Sequence, residues 1–335
     1  MDELQFWQTS AFACVIFMMF MYSILDGFDL GLGALIGHVA ANDDEKKVLL
    51  RAISPFWDGN EVWLVIAVSV LFAAFPPAFS KLLPSFYLPF LFIIMLFICR
   101  AVSLEFAYSG KGVSKLGMAV FSISSILASS LGILFLGVIV AGVPTDNSGI
   151  FKIGVRSVLD PLPLMFAASW FILMLLHSVS YFSHKCDEAL KERLMKFARR
   201  MWPVFAVLFA AGIVLLHARI PQLFGKVPVI AGIAMVIAGG LAYRAVMGSK
   251  KSSYMFVFSA LAMGGVWMIV AGAMFPNIVN PGGNESGAMT IYNSSAPLGT
   301  LRVVVSASLV GMTILIAYVF FVYRILRDRI GSNNY

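Results

Sequence analysis

The chain has 335 residues, of which 60% are hydrophobic and 12% charged, with a formal net charge of +7. A water-soluble domain carries roughly 25% charged residues, so with a mean hydropathy of +0.90 a soluble globule is excluded and a bilayer must act as solvent for most of the surface. The positive charge does not mark a nucleic-acid partner, because the basic residues fall in short loops between apolar runs, as membrane orientation requires.

A bilayer core needs about 20 apolar residues in helical form. Nine runs meet this: Ala11–Ile36, Trp57–Phe75, Pro84–Tyr108, Leu116–Val143, Pro161–Phe182, Trp202–Ile220, Val227–Val246, Tyr254–Phe275 and Leu301–Tyr323. The predicted fold is an all-α integral membrane protein, with one polytopic domain over residues 1–335. The N-terminal Met1-Asp-Glu-Leu lacks the basic region of a cleavable signal, so the first run is expected to remain as a span. The weakest break lies between the sixth and seventh spans, at Arg219 to Lys226. The connection from Ser183 to Met201 alternates charge at helical spacing and is predicted to be a helix on the membrane surface. Pro276 to Thr300, rich in Asn, Gly, Ser and Pro, is predicted to be an irregular loop.

Loop charge fixes an expected orientation. With nine spans, one set of loops and the C-terminal tail hold seventeen cations, among them Lys46, Lys47, Arg51, Lys111, Lys115, Arg193, Arg199, Arg200, Arg327 and Arg329. The other set holds six: Lys81, Lys152, Arg156, Arg219, Lys226 and Arg302. Positive charge favours the cytoplasmic face, which predicts N-out and C-in in the cytoplasmic membrane of a prokaryote.

Ionisable residues inside spans are costly and mark function. Asp26 and Asp29 lie in the first span, within Leu25-Asp-Gly-Phe-Asp-Leu-Gly-Leu-Gly33. Asp58 and Glu61 open the second, within Phe56-Trp-Asp-Gly-Asn-Glu-Val-Trp-Leu64. Arg100 and Glu105 lie near the end of the third. Asp26 and Asp29 are spaced i, i+3 and share a helix face, as do Asp58 and Glu61. Gly27, Gly31 and Gly33 strip side chains from the first helix and invite close approach by another. In the predicted topology all six ionisable groups fall in the cytoplasmic half of the membrane.

Two readings stay open. In one, Arg100 neutralises a carboxylate, Asn60 and Trp63 tie helix ends together, and the cluster is structural. In the other, five acids against one internal base leave carboxyl groups that hold protons, and the cluster is a proton-uptake route. On that reading Asp58 receives the proton, with Trp57 and Trp63 flanking it at the membrane interface, and Glu61, Asp29, Asp26 and Glu105 carry it onward under the influence of Arg100.

Cys14, Cys99 and Cys186 show no metal-ligand spacing and are expected to be buried small residues. Of the four histidines, His38 and His184 sit at helix ends and His217 near another. Only His177 has a buried setting, where hydrogen bonding in the core is the commoner role and haem ligation the rarer one. No nucleotide loop, zinc motif or nucleophilic triad is present in the sequence.

The segment Asp26-Gly-Phe-Asp-Leu-Gly31 on a first helix, followed by Trp57-Asp-Gly-Asn-Glu-Val-Trp-Leu64 opening a second, resembles subunit II of cytochrome bd-type terminal oxidases. Arg100, Glu105 and Phe275-Pro276 fit the same pattern. The resemblance implies two four-helix bundles and one peripheral helix. It implies a complex that oxidises membrane quinol and reduces dioxygen to water, with haem b and either haem d or a third haem b in a larger partner, subunit I. It further implies that this chain binds no haem or quinol of its own, stabilises the partner and helps conduct protons. Small single-helix subunits, lipid and quinone are further expected associates. A proton-coupled secondary transporter is the alternative, with the acids lining a midplane cavity. Against it, no pair of Gly/Pro-broken spans recurs in the two halves.

Overall fold

A computed structural model describes residues 2–108, 114–144, 151, 153–280 and 288–325. Lys111, Lys152, Arg327, Arg329 and residues 281–287 of the last long loop lie outside the described residues.

In a bilayer each backbone polar group must find its partner inside the segment, so apolar runs become helices. The helices are α1 (Glu3–Val39), α2 (Asp43–Ile53), α3 (Trp57–Ala74), α4 (Pro76–Ser85), α5 (Tyr87–Tyr108), α6 (Lys115–Ala141), α7 (Val155–Val158), α8 (Pro161–Phe182), α9 (Glu188–Arg219), α10 (Val227–Val246), α11 (Met255–Met274) and α12 (Leu298–Ile325). Among the described residues nine of these are long and apolar enough to cross a membrane: α1, α3, α5, α6, α8, α9, α10, α11 and α12. Polar side chains set their starts. Asp2 accepts from the Gln5 amide at 2.7 Å, and Asp187 from the Leu190 amide at 2.8 Å. Each thereby satisfies one of the free N–H groups of a helix N-terminus.

Two boundaries differ from expectation. The surface helix expected over Ser183–Met201 is no separate element; it is the first part of the 32-residue α9, which runs unbroken through Pro203 into the sixth span. Likewise α1 has 37 residues. At about 1.5 Å per residue it outreaches the roughly 30 Å hydrocarbon core. The expected break after Arg219 is real, occupied by a short 3-10 turn over Pro221–Gly225.

The spans α1, α3, α5 and α6 form one bundle, α8 to α11 a second, and α12 lies outside against α1 and α3. Glycine decides how closely helices meet. A Cβ on Gly31 would stand 2.6 Å from the Ser178 Cβ on α8, and one on Gly33 only 2.2 Å from the Ser125 Oγ on α6. The two bundles therefore join at Gly31, while Gly33 seats α6 closely on α1 within the first bundle.

At the other end, the loop expected to be irregular contains a two-stranded antiparallel ladder, β1 (Asn277–Val279) with β2 (Met289–Thr290). Its continuation ties helix ends together. The Ala296 amide donates to the Ala74 carbonyl at 2.8 Å, and Gln8 Nε2 donates to Ser295 Oγ at 2.8 Å. Cys14 and Cys186 are buried as expected, but Cys99 is exposed. It lies on the exposed face of α5 with Met95, Ile98 and Val102.

Candidate functional site

The Asp26-Gly-Phe-Asp segment sits on the part of α1 enclosed by α3, α5, α8 and α12. Asp26, Asp29 and Arg100 are all wholly buried. Arg100 reaches across from α5 and grips two carboxylates at once. Its Nη2 donates to Asp26 Oδ1 at 2.9 Å and its Nη1 to Glu61 Oε1 at 2.5 Å. Charge-assisted bonds of this kind are short and about twice as strong as neutral ones. Glu61 is the outermost member, with 24% of its side chain exposed.

Asp29 has no guanidinium. Asn60 Nδ2 donates to Asp29 Oδ2 at 2.8 Å and to the Leu25 carbonyl at 3.0 Å, which ties α3 to α1 as expected of Asn60. Asp29 Oδ1 and Asp26 Oδ2 have no hydrogen-bond partner, and neither has Arg100 Nε. The site thus gathers three carboxyl groups and one guanidinium. Fully ionised, it would hold a net negative charge in a low-dielectric interior, which is costly.

Other expected members stand apart. Asp58 is exposed in the first turn of α3, and its Oδ1 accepts from the Gly59 amide at 2.8 Å. It is still near enough to Glu61 to interact with it electrostatically. Glu105 is exposed and does not join the cluster among the described residues. Its separation from Arg100 explains this, since five residues are about 1.4 helical turns and point it away. Trp57 is half-buried, but Trp63 is no interfacial ring. It is 0% exposed, packs edge-on to Phe17 and leaves Nε1 without a partner. Gly31 serves close packing, whereas a Cβ on Gly27 would meet its nearest neighbour, Met263 Cε, at an ordinary 3.5 Å.

The sequence reading missed two tyrosines. Tyr22 stands beside Asp26. It is four residues earlier on the same helix face, a spacing that could have revealed it. Tyr323 lies beside Asn60, and nothing local in the sequence points to it. An apolar cavity of about 70 Å³ between α6, α8, α9 and α11, lined in part by Trp170, Phe205, Phe209 and Val270, includes none of these acids.

Comparison with known proteins identifies the setting. The family model for cytochrome bd terminal oxidase subunit II matches residues 7–326. The chain belongs to this family. The subunit II of Bacillus subtilis cytochrome bd ubiquinol oxidase is 26% identical over 324 residues, covering 96% of this chain and 95% of that one. A probable cytochrome oxidase subunit 2 of Haemophilus influenzae is 22% identical over 357 residues, covering 95% and 94%. The fold matches a chain in the structure of bd oxidase from Geobacillus thermodenitrificans with a TM-score of 0.81 at 15% identity, covering 96% of this chain and 98% of that one. As a bd oxidase subunit II, the chain is a multi-pass membrane protein and one part of a complex with a larger subunit.

Haem is the cofactor such a complex implies, and His177 is the one histidine that the sequence singles out as a candidate ligand. His177 is fully buried, but both ring nitrogens are engaged, Nδ1 with Ser259 Oγ at 2.8 Å and Nε2 with the Ile24 carbonyl at 2.9 Å. Neither is free to bind iron. Among the described residues no group of three or more His, Cys, Asp or Glu side chains is arranged to hold a metal.

Proposed function

We propose that this chain supports the haem-bearing larger subunit of a quinol:oxygen oxidoreductase and supplies part of its proton-uptake route. In this reading haem b, and haem d or a third haem b, together with quinol oxidation, belong to the partner. Dioxygen reduction to water consumes protons, and the chain lies N-out and C-in as a single membrane domain of the cytoplasmic membrane, so that the acids face the cytoplasmic supply. Catalytic and metal-binding residues are assigned to the partner, and small single-helix subunits, lipid and quinone are further associates.

The observation that carries this reading is the line Glu61–Arg100–Asp26. It begins at a partly exposed carboxylate on the outer face of α3 and ends at a wholly buried one on α1. A purely structural ion pair is satisfied by one acid and one base. Here three buried or half-buried acids stand around one base that binds only two of them, and two of the three keep an oxygen without a partner. Such a cluster can accept and release a proton with little rearrangement. Asp58, exposed and close to Glu61, is placed as the first acceptor, and Asp29 as a second store beside Asp26. Glu105, on the other face of α5, is retained only as a peripheral acceptor.

The test is Asp26→Asn in the assembled oxidase. Oxygen consumption per haem should fall by about tenfold or more, the scale of lost proton transfer, while the haems stay reducible. Normal turnover per haem would return the cluster to a structural role. The transporter alternative places substrate among the same acids, and it would be favoured by acid-dependent uptake of a solute into vesicles holding this chain alone.

A further inference from the structure

We propose that Arg199 and Arg244, on the neighbouring helices α9 and α10, hold the phosphate of an anionic membrane phospholipid. The proposal does not rest on the proton route. It gives lipid, one of the associates proposed above, a site and a charge.

The chain from Arg193 to Asn284 contains no Asp or Glu. Six of its cations gather at one end of the second bundle. They are Lys196, Arg199 and Arg200 on α9, Arg244 in the last turn of α10, and Lys250 and Lys251 in the turn that follows. All six are exposed. The ion pairs formed at this end use other cations, Lys191 with Glu188 and Arg193 with Glu45. Among the described residues none of the six has a carboxylate partner. Membrane orientation accounts for cations at this end. It requires neither their convergence on one groove nor the lack of counter-charge around them.

Contacts between α9 and α10 set two of them side by side. Trp202 Nε1 donates to the Gly240 carbonyl at 2.8 Å, and a Cβ on Gly240 would meet Phe205 Cε1 at 3.8 Å, so this line of α10 faces α9. Arg244 follows Gly240 by one turn on the same line. Four residues later comes Gly248, where a Cβ would stand 2.9 Å from Arg199 Nη2. Arg199 precedes Trp202 by three residues and shares its face of α9. Arg244 therefore lies between the Trp202–Gly240 contact and the Arg199–Gly248 contact. Two guanidinium groups so placed repel each other. A phosphodiester between them offsets that repulsion, and its oxygens accept from both N–H forks.

The setting favours a lipid over a soluble anion. Trp202 is a ring of the kind that sits at headgroup level. Farther into the spans both helices expose apolar side chains, Val204 and Val207 on α9 and Ile237 and Leu241 on α10. Acyl chains would lie along these while the headgroup stays among the cations. Basic pockets between spans that bind anionic headgroups have this composition.

Native mass spectrometry of the intact oxidase complex, titrated with phosphatidylglycerol and separately with phosphatidylcholine, tests the site. Each cation near an anionic lipid surface contributes roughly fivefold to binding. Arg199→Gln combined with Arg244→Gln should therefore weaken phosphatidylglycerol binding by roughly twenty-fivefold and leave phosphatidylcholine unchanged. Unaltered phosphatidylglycerol binding would overturn the proposal. Lys250→Gln combined with Lys251→Gln removes the same charge from the same surface and should cost clearly less. An equal loss would mean a diffuse field rather than a site, and the assigned pair would fall. Inorganic phosphate in excess should leave the lipid bound; displacement would make the ligand a soluble anion and sink the proposal. A phosphatidylglycerol with a photoactivatable group near its glycerol, added to the unaltered complex, should label α9 near Arg199 and the end of α10. Labelling confined to other helices would overturn the site whatever the yield of the variants, including the case in which the larger subunit covers these cations.

Discussion

Arg100 is wholly buried, while Glu61, the carboxylate 2.5 Å from its Nη1, keeps about a quarter of its side chain exposed. One ion pair therefore spans from the surface of α3 to the core of the bundle. Its inner end is set by Asp26, 2.9 Å from Nη2. The arrangement makes Arg100 indispensable in a way that no single acid is.

Arg100→Met should accordingly damage assembly before it damages chemistry. Removing one partner of a buried ion pair costs about 3–5 kcal/mol, because the other charges are left unpaired. Haem content per membrane should drop more than tenfold. A variant that assembles normally would mean that the three carboxyl groups do not need the guanidinium.

Gly31 and Gly27 should differ sharply although they are four residues apart on one helix. A Cβ at Gly31 would stand 2.6 Å from the Ser178 Cβ and 3.0 Å from the Met174 carbonyl oxygen, a backbone atom that cannot swing aside. At Gly27 the nearest atom is the flexible end of Met263 at 3.5 Å. Gly31→Ala should lower the melting temperature of the purified complex by several degrees, as overpacking by about 1–3 kcal/mol does, and Gly27→Ala should leave it within error. Equal effects would show that the bundles do not join at Gly31.

Much of this was legible in the sequence, for identifiable reasons. The spans followed from apolar run length, and the junction of α1 with α8 from glycines on one helix. The pairing of Asp26 with Arg100 was foreseeable from the scarcity of bases inside the spans. Glu105 is set apart from Arg100 by rotation about α5, which depth along the helix does not reveal. Trp63 is an interfacial residue by type, yet it lies buried in the second turn of α3 on the face that meets Phe17. Tyr323 comes from the far end of the chain, so only the tertiary packing of α12 on α3 could bring it to Asn60.

Cys186 and Cys99 offer a chemical check on packing. Burial, with Asp187 adding to it, pushes the Cys186 thiol up to about 12. The thiolate is the reactive form, so at pH 8 Cys186 stays almost wholly in its unreactive thiol form. A small maleimide at pH 8 should leave Cys186 unmodified in the native complex and label it on unfolding. Rapid native labelling of Cys186 would contradict the packing of the α8–α9 connection.

The distribution of loop cations predicts a direction through the membrane. A reporter fused after Tyr335 that is active only in the cytoplasm should be active, and one that works only outside should be silent. The opposite pattern would invert every loop and place the acid cluster near the outer face.

If the acids of this chain deliver protons to oxygen reduction, Asp58→Asn and Glu61→Gln must both slow it. Both changes keep shape and polarity but cannot shuttle a proton. Turnover per haem is measured beside haem content per membrane, which separates chemistry from assembly. Haem content should stay near that of the unaltered oxidase, and turnover per haem should fall by about tenfold or more in each variant. Normal turnover per haem in both, whatever their yield, would contradict such delivery and leave the Glu61–Arg100–Asp26 line as a structural brace.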